Sequence, residues 1–301
     1  MLPRREDDLT APGYNVMSIG RETYLFDNDG RVVHEWRSSR IVFCSYLLPN
    51  GNLLRDGSEN IIAVGFRTGG AAGFVEEVTW EGERVWSFQL SPMSTFLSHH
   101  DLQPLPNGNV MIMTWQRKTK AEAIAAGRRP ELIPDDEVWD NVILELRPNG
   151  KGGADVVWKW CFWDHLIQDF DPNMANYGNV QDHPERFDIN CCPPMGKGGA
   201  RNMTHLQPGG ATPDSHSGTP KTGERDWLHV NSMSYDPQRD QIVLSCNVHS
   251  EIIIIDHSTT MVCIIVMLMC EELGYSACHC VCNSGLMWPR CDDDYHTTRV
   301  M

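Results

Sequence analysis

Short apolar runs, each closed by a turn rich in Gly, Asn or Asp, recur through residues 14–260. Two kinds of unit alternate. One is an apolar strand, a Gly turn and a second strand ending in aromatics. It reads TYLFDNDGRVVHEW at residues 23–36, EEVTWEGERVWSF at 76–88 and, more loosely, ILELRPNGKGGADVVWKW at 143–160. The other is built on a Pro-Asn-Gly-Asn turn. It reads YLLPNGNLL at 46–54 and LQPLPNGNVMIM at 102–113, with a degenerate copy, MSYDPQRDQIVLS, at 233–245. Asn-Gly and Asp-Gly tolerate the positive φ that tight hairpin turns demand. The flanking Val, Ile, Leu, Tyr and Trp suit a pleated, half-buried surface. Each unit therefore predicts a β-hairpin.

The two hairpins recur in the same order. Gly30 recurs as Gly82 and Gly51 as Gly108. That period of about 50 residues is near the roughly 40–50 of one propeller blade. The expected fold is all-β, a β-propeller of about three blades plus the start of a fourth. The first two blades are expected at 23–57 and 74–115. The third runs from 141 to 246 around a long insertion, and EIIIID at 251–256 opens the fourth. A meandering β-sandwich would use the same turns, but radial repetition accounts better for the constant order of units. Residues 1–13 form an N-terminal extension. Two insertions, 116–140 and 161–226, interrupt the repeat. Within the first, RKTKAEAIAA (117–126) reads as a short helix ended by Gly127. Within the second, 193–224 is rich in Gly, Pro, Ser and Thr and reads as a loop.

Composition narrows the chemistry. Of 301 residues, 41% are hydrophobic and 22% charged, a globular balance. A net charge of -15 repels phosphate backbones, so nucleic acid is not expected as a partner. No apolar stretch approaches the roughly 20 residues of a spanning helix. The opening MLPRREDDLT lacks a signal-peptide core, so the expected compartment is the cytoplasm. About three blades and the start of a fourth leave an open sheet edge, so self-association through that edge is expected.

The candidate chemistry lies in histidines. SHHDLQPLPNGN carries His99, His100 and Asp101, and DWLHVNSMSYDP carries His229 and Asn231. Both motifs sit just before the same strand of the repeat. In a propeller that strand lines the central channel, so His100 and His229 are expected to converge. Strand alternation points His99 away from His100. Asn247 and His249, with His257 beyond them, follow a strand end in LSCNVHSEIIIIDHSTT, and Asn247 and His249 are expected to face the same channel. Imidazole can serve as nucleophile, general base or anion ligand. His34, His165, His183, His205, His216 and His296 show no repeat register and are read as structural.

These segments resemble the arylsulfotransferase family of PAPS-independent aryl sulfotransferases over residues 12–260. The pieces that carry the resemblance are TYLFDNDGRVVHEW, YLLPNGNLLR, HHDLQPLPNGNV, WDHLIQDFDPNMANYG, WLHVNSMSYDP and HSEIIIIDHSTT. The last four in combination are the specific ones. The resemblance implies a six-bladed propeller with its site at the central channel. It implies transfer of a sulfuryl group from an aryl sulfate to a phenol through a histidine intermediate, with no cofactor and no metal. His100 and His229 then match catalytic histidines, with His99, Asp101, Asn231, Asn247 and His249 around the substrate. Two departures stand out. Asn247 replaces a frequent family Arg, and the family's nucleophilic His belongs to a later motif that this sequence does not reach, so the chain as given is expected to lack that nucleophile and to be inactive. A non-catalytic propeller that binds a protein or a small anion is the alternative. A quinone-dependent dehydrogenase propeller is a weaker third.

Residues 261–301 differ in kind. Six of the eleven cysteines crowd there, and the repeat stops near Thr260. A metal site of Cys278, His279, Cys280 and Cys282 is disfavoured, because structural zinc prefers paired knuckles. An out-of-frame or unspliced continuation is the expected explanation.

Overall fold

A computed structural model describes residues 11–58, 65–66, 68–90, 92–191, 225–249, 251–270 and 275–282, the backbone alone for 263–270 and 275–282. The chain is all-β, made of successive antiparallel sheets that do not close on themselves. The first sheet holds β1 (Tyr14–Ile19), β2 (Glu22–Asp27) and β3 (Val32–Arg37). The second holds β4 (Ser45–Leu47), β5 (Leu53–Ser58), β6 (Gly73–Val78) and β7 (Arg84–Gln89). The third holds β8 (Phe96–Pro104), β9 (Val110–Thr119), β10 (Glu137–Pro148) and β11 (Ala154–Cys161). A short parallel pair follows, β12 (Leu166–Ile167) with β13 (Phe187–Asp188). The last sheet runs β14 (Val230–Asp236), β15 (Gln241–Cys246), β16 (Glu251–Asp256), β17 (Val262–Cys270) and β18 (Tyr275–Cys282).

The hairpins form where the sequence places them, but their grouping is shifted by one unit. The expected grouping joined 23–36 to 46–54. Instead, the hairpins turning at Gly51 and Gly108 open the second and third sheets, and the hairpins that follow, turning at Gly82 and Gly150, complete them. The turn itself explains the choice. Gly51 and Gly108 have φ of 87° and 84°, and each donates its N–H to the residue three before it, Leu48 or Leu105. That geometry turns the flanking asparagines toward the third strand. Asn50 and Asn52 donate to Glu77 Oε1 at 3.4 and 2.5 Å. Asn107 and Asn109 donate to Glu145 in the same way. The long connections this pairing needs cost little, because loop-closure entropy rises slowly with length.

Consecutive sheets pack face to face. Leu25, Trp36, Leu53 and Val78 fill the space between the first and second. Leu54, Val75, Trp86, Ile112 and Leu144 fill that between the second and third. Met113, Ile143, Trp160, Val230, Leu244 and Ile253 fill that between the third and the last. The third sheet is therefore covered on both sides. This is why β10 is buried along nearly its whole length rather than at alternate residues.

The first insertion is helical over a shorter span than 117–126. The helix, α1, is Lys120–Ala125, and β9 runs on through Thr119. Thr119 caps it in a capping box with Glu122, which fixes the start. The second insertion packs on this helix: Asn176 Nδ2 donates to Ala126 O at 2.9 Å and Asn190 Nδ2 to Gly127 O at 2.8 Å. The expected loop at 193–224, and the tail beyond Cys282, lie outside the described residues. The hairpin pairing that was expected to stop near Thr260 continues, with Ile255 opposite Val262 and Cys263 opposite Cys282. The unbroken apolar run VCIIVMLMC supplies a strand as readily as an alternating one does. Among the described residues, no helix is long and apolar enough to cross a membrane.

Candidate active site

Two strands break register at corresponding places. In β8 the shift falls between Ser98 and Leu102, so that His99, His100 and Asp101 bulge out of the ladder. In β14 it falls between Val230 and Ser232, at Asn231. The bulge in β8 is tied to a neighbouring segment: His100 N–H donates to Gly70 O at 2.8 Å, and Ala72 N–H to Ser98 O at 2.9 Å. His100 and His229 both adopt left-handed backbone conformations, with φ of 54° and 49°. Such a φ is uncommon outside Gly, although His, Asn and Asp adopt it more readily than other residues, and its cost is about 1 kcal/mol or more. Its occurrence at both equivalent histidines re-aims the two side chains together.

The imidazoles of His100 and His229 meet at 4.9 Å between ring centroids, inclined at 80°. The Cα of Gly70 lies against the His100 ring so closely that a Cβ there would fall 2.4 Å from its Nε2. His229 Nδ1 pairs with Asp226 Oδ2 at 2.7 Å, and its backbone N–H donates to Asp226 Oδ1 at 3.1 Å. Asp226 also accepts from Asn141 Nδ2 at 3.3 Å. His99 Nδ1 lies 3.0 Å from His100 Nδ1. Burial, and then the neighbouring His229, lower the pKa of His100 to about 4, against a smaller raising effect of Asp226. Burial, with His100 and His229 beside it, holds His99 well below the ordinary histidine value.

The remaining expected residues have different surroundings. His99 is 1% exposed and stacks on Trp115 at 4.0 Å, so it backs the site instead of lining it. Both oxygens of Asp101 are engaged. Oδ1 accepts from Cys44 Sγ, Tyr46 Oη and Leu102 N, and Oδ2 from Met233 N. Asn231 is half-buried at the β14 bulge. Asn247 is exposed, and its N–H donates to His229 O at 3.1 Å. His249 faces Glu251 Oε2 at 3.6 Å and the ring of Trp227 at 5.8 Å. Burial pulls the pKa of His249 down, but Cys191 and Glu251 outweigh it and raise it to about 9. His257 is taken up between Asp240, 2.9 Å from Nδ1, and Glu145, 3.0 Å from Nε2.

Three histidines read as structural have packing partners: His34 with Trp80, His165 with Trp160 and His183 with Glu185. His205, His216 and His296 lie outside the described residues. Asp226, Asn141, Trp115 and Gly70 were not singled out in the sequence. Only Asp226 had a local signal, as the carboxylate three residues before His229. Among the described residues, no group of three His, Cys, Asp or Glu side chains could hold a metal ion.

No curated protein matches the chain. Among solved structures it is similar to a protein of unknown function from Bacteroides caccae, at 9% identity and a TM-score of 0.36, over 91% of this chain and 74% of that one. It is also similar to hydrazine synthase of Kuenenia stuttgartiensis, at 9% identity and a TM-score of 0.38, over 81% of this chain and 49% of that one. The family model of arylsulfotransferase (ASST) matches residues 3–266, a stretch that holds both bulged strands and every residue of the histidine cluster. The chain belongs to the arylsulfotransferase family.

Proposed function

We propose that the successive sheets are blades of a six-bladed propeller and that His100 and His229 act on the sulfuryl group of an aryl sulfate at its central channel. The ring contact between these two histidines carries the reading. Strand contacts support the propeller: β8, the first strand of its sheet, lies against β14, the first strand of the last sheet, and against β4 and β5 of the second. Matching the repeat units makes β2 and β3 equivalent to β6 and β7, so β1 stands in the place of β5. In a ring, first strands converge on the axis, which brings residues distant in sequence to one place.

The proposed reaction has two half-steps. A histidine nitrogen attacks sulfur, the S–O bond to the aryl group breaks, and the phenol departs with a proton. An acceptor phenol then attacks the same sulfur, its proton passes to a base, and the N–S bond breaks. A nucleophilic imidazole divides one difficult transfer into two easier ones. His100 and His229 contribute donors and acceptors for the sulfuryl oxygens and the moving proton. In a chain of net charge -15, such local groups are needed to hold an anionic ester.

The test is release of nitrophenol from nitrophenyl sulfate in the presence of a phenol acceptor. His100→Ala and His229→Ala are expected to lose activity at least 100-fold, while His183→Ala keeps it. Folded variants at both sites with full activity would overturn the assignment. No turnover, with retained binding of aryl sulfate, would put a binding module in its place.

A further inference from the structure

We infer that Asp226 and His99 are positioning residues, each holding Nδ1 of one of the two facing imidazoles so that both Nε2 atoms are presented to the substrate. The inference rests on the proposed role of His100 and His229 in sulfuryl handling.

The Asp226 half follows from hydrogen-bond inventory. An ionised carboxylate only accepts, so the 2.7 Å contact requires the proton on His229 Nδ1. The second Asp226 oxygen takes the His229 backbone N–H at 3.1 Å, which fixes the residue as well as its ring. A ring tied in this way carries its lone pair on Nε2. The carboxylate also stabilises positive charge on the ring as Nε2 takes up a proton.

The His99 half follows from the next layer. Asn141 gives its Nδ2 proton to Asp226 at 3.3 Å, so its Oδ1 is turned to the other side. Asn141 Oδ1 and His99 Nε2 are both buried, and neither has a hydrogen-bond partner among the described residues. They are complementary, an acceptor and a ring N–H. Against burial, which lowers the His99 pKa most, the Thr114 backbone and then the Asn141 side chain act in the direction of keeping a proton on that ring. With Nε2 protonated, His99 Nδ1 is a lone pair, and across 3.0 Å it accepts the Nδ1 proton of His100. The lone pair of His100 then lies at Nε2. Stacking on Trp115 at 4.0 Å, with interplanar angle 11°, keeps the His99 ring from turning. One amide, Asn141, thus sets the orientation of both halves.

The experiment combines long-range proton–nitrogen NMR of the imidazoles with steady-state kinetics on nitrophenyl sulfate. In Asp226→Asn, which keeps size and shape, the Nδ1–H tautomer of His229 is expected to lose its dominance. kcat should fall about 10–100-fold, the usual range for a supporting partner, with KM changed less than threefold. Asp226→Glu should recover part of kcat. His99→Phe, which keeps the stacked ring and removes Nδ1, should shift the tautomer signature of His100 alone. Unchanged tautomers in folded variants would overturn the inference, whatever the activity. A chain that does not turn over aryl sulfates at all but shows the tautomer shifts would fail the functional reading and leave the positioning intact.

Discussion

The carboxylate of Asp101, in β8, accepts a hydrogen bond from the backbone N–H of Met233, in β14, at 2.9 Å. The same carboxylate takes Cys44 and Tyr46 from the second sheet. One side chain therefore bridges three sheets beside the paired histidines. Asp101→Ala leaves the Met233 N–H and two side-chain donors without their acceptor, at about 1–3 kcal/mol for each buried group. We expect a loss of stability of about 3 kcal/mol or more, with Asp101→Asn losing less. Urea denaturation followed by tryptophan fluorescence measures both; an unchanged midpoint for the alanine variant would refute the bridge.

Gly70 is the floor on which the His100 ring rests. A Cβ at that position would sit 2.4 Å from the ring, and its φ of 77° strains any other residue. Gly70→Ala is expected to push the ring off its perch and to reduce turnover nearly as far as His100→Ala. The backbone cost should be only about 1 kcal/mol. A variant with normal turnover would show that the ring's resting place is immaterial.

The lowered pKa of His100 has a thermodynamic sign. The unfolded chain binds a proton at this residue below about pH 6.5, the folded chain only near pH 4. Stability contributed by the neutral ring is present above pH 6.5 and is lost as pH falls toward 4, by on the order of 3 kcal/mol. His100→Phe should therefore flatten the acid limb of the stability profile over that window. Parallel acid limbs in the two proteins would contradict the lowered value.

Asp140 gives the opposite sign. It is fully buried, and both its oxygens lack a hydrogen-bond partner among the described residues. Burial raises its pKa to about 8, against the nearby positive charge of Lys118. The folded state keeps this proton where the unfolded state has released it. Stability is fully present below about pH 4 and is lost progressively as pH rises toward 8. Asp140→Asn is expected to melt higher than the parent protein at pH 8 and no higher at pH 4. Equal gains at both pH values would sink the explanation.

How much of this was legible in the chain depended on how local each signal was. Turn chemistry at Gly51 and Gly108 marked the hairpins, because a short loop closed by a positive-φ glycine is decided by its own residues. The grouping of hairpins into sheets was missed. Its determinant is the grip of Asn52 on Glu77 and of Asn109 on Glu145, across long connections. The convergence of His100 and His229 was readable from their matching places in the repeat. The difference between His100, which faces the site, and His99, which backs it, was only half readable. Alternation separates the two side chains, but Trp115 decides where the buried one goes. Asn141 carried no local signal. It sits in a buried strand beside Asp140 and Val142, and the residue it donates to, Asp226, lies 85 positions further along the chain.

The left-handed backbone at His100 and His229 sets two aims of protein engineering against each other. A search for thermostability that scored only backbone comfort would favour glycine or asparagine at both positions. Each such replacement would relax a left-handed backbone and remove a ring from the pair. Rigidity and reactivity thus compete for the same two residues, and improving one of them has to be sought elsewhere in the chain.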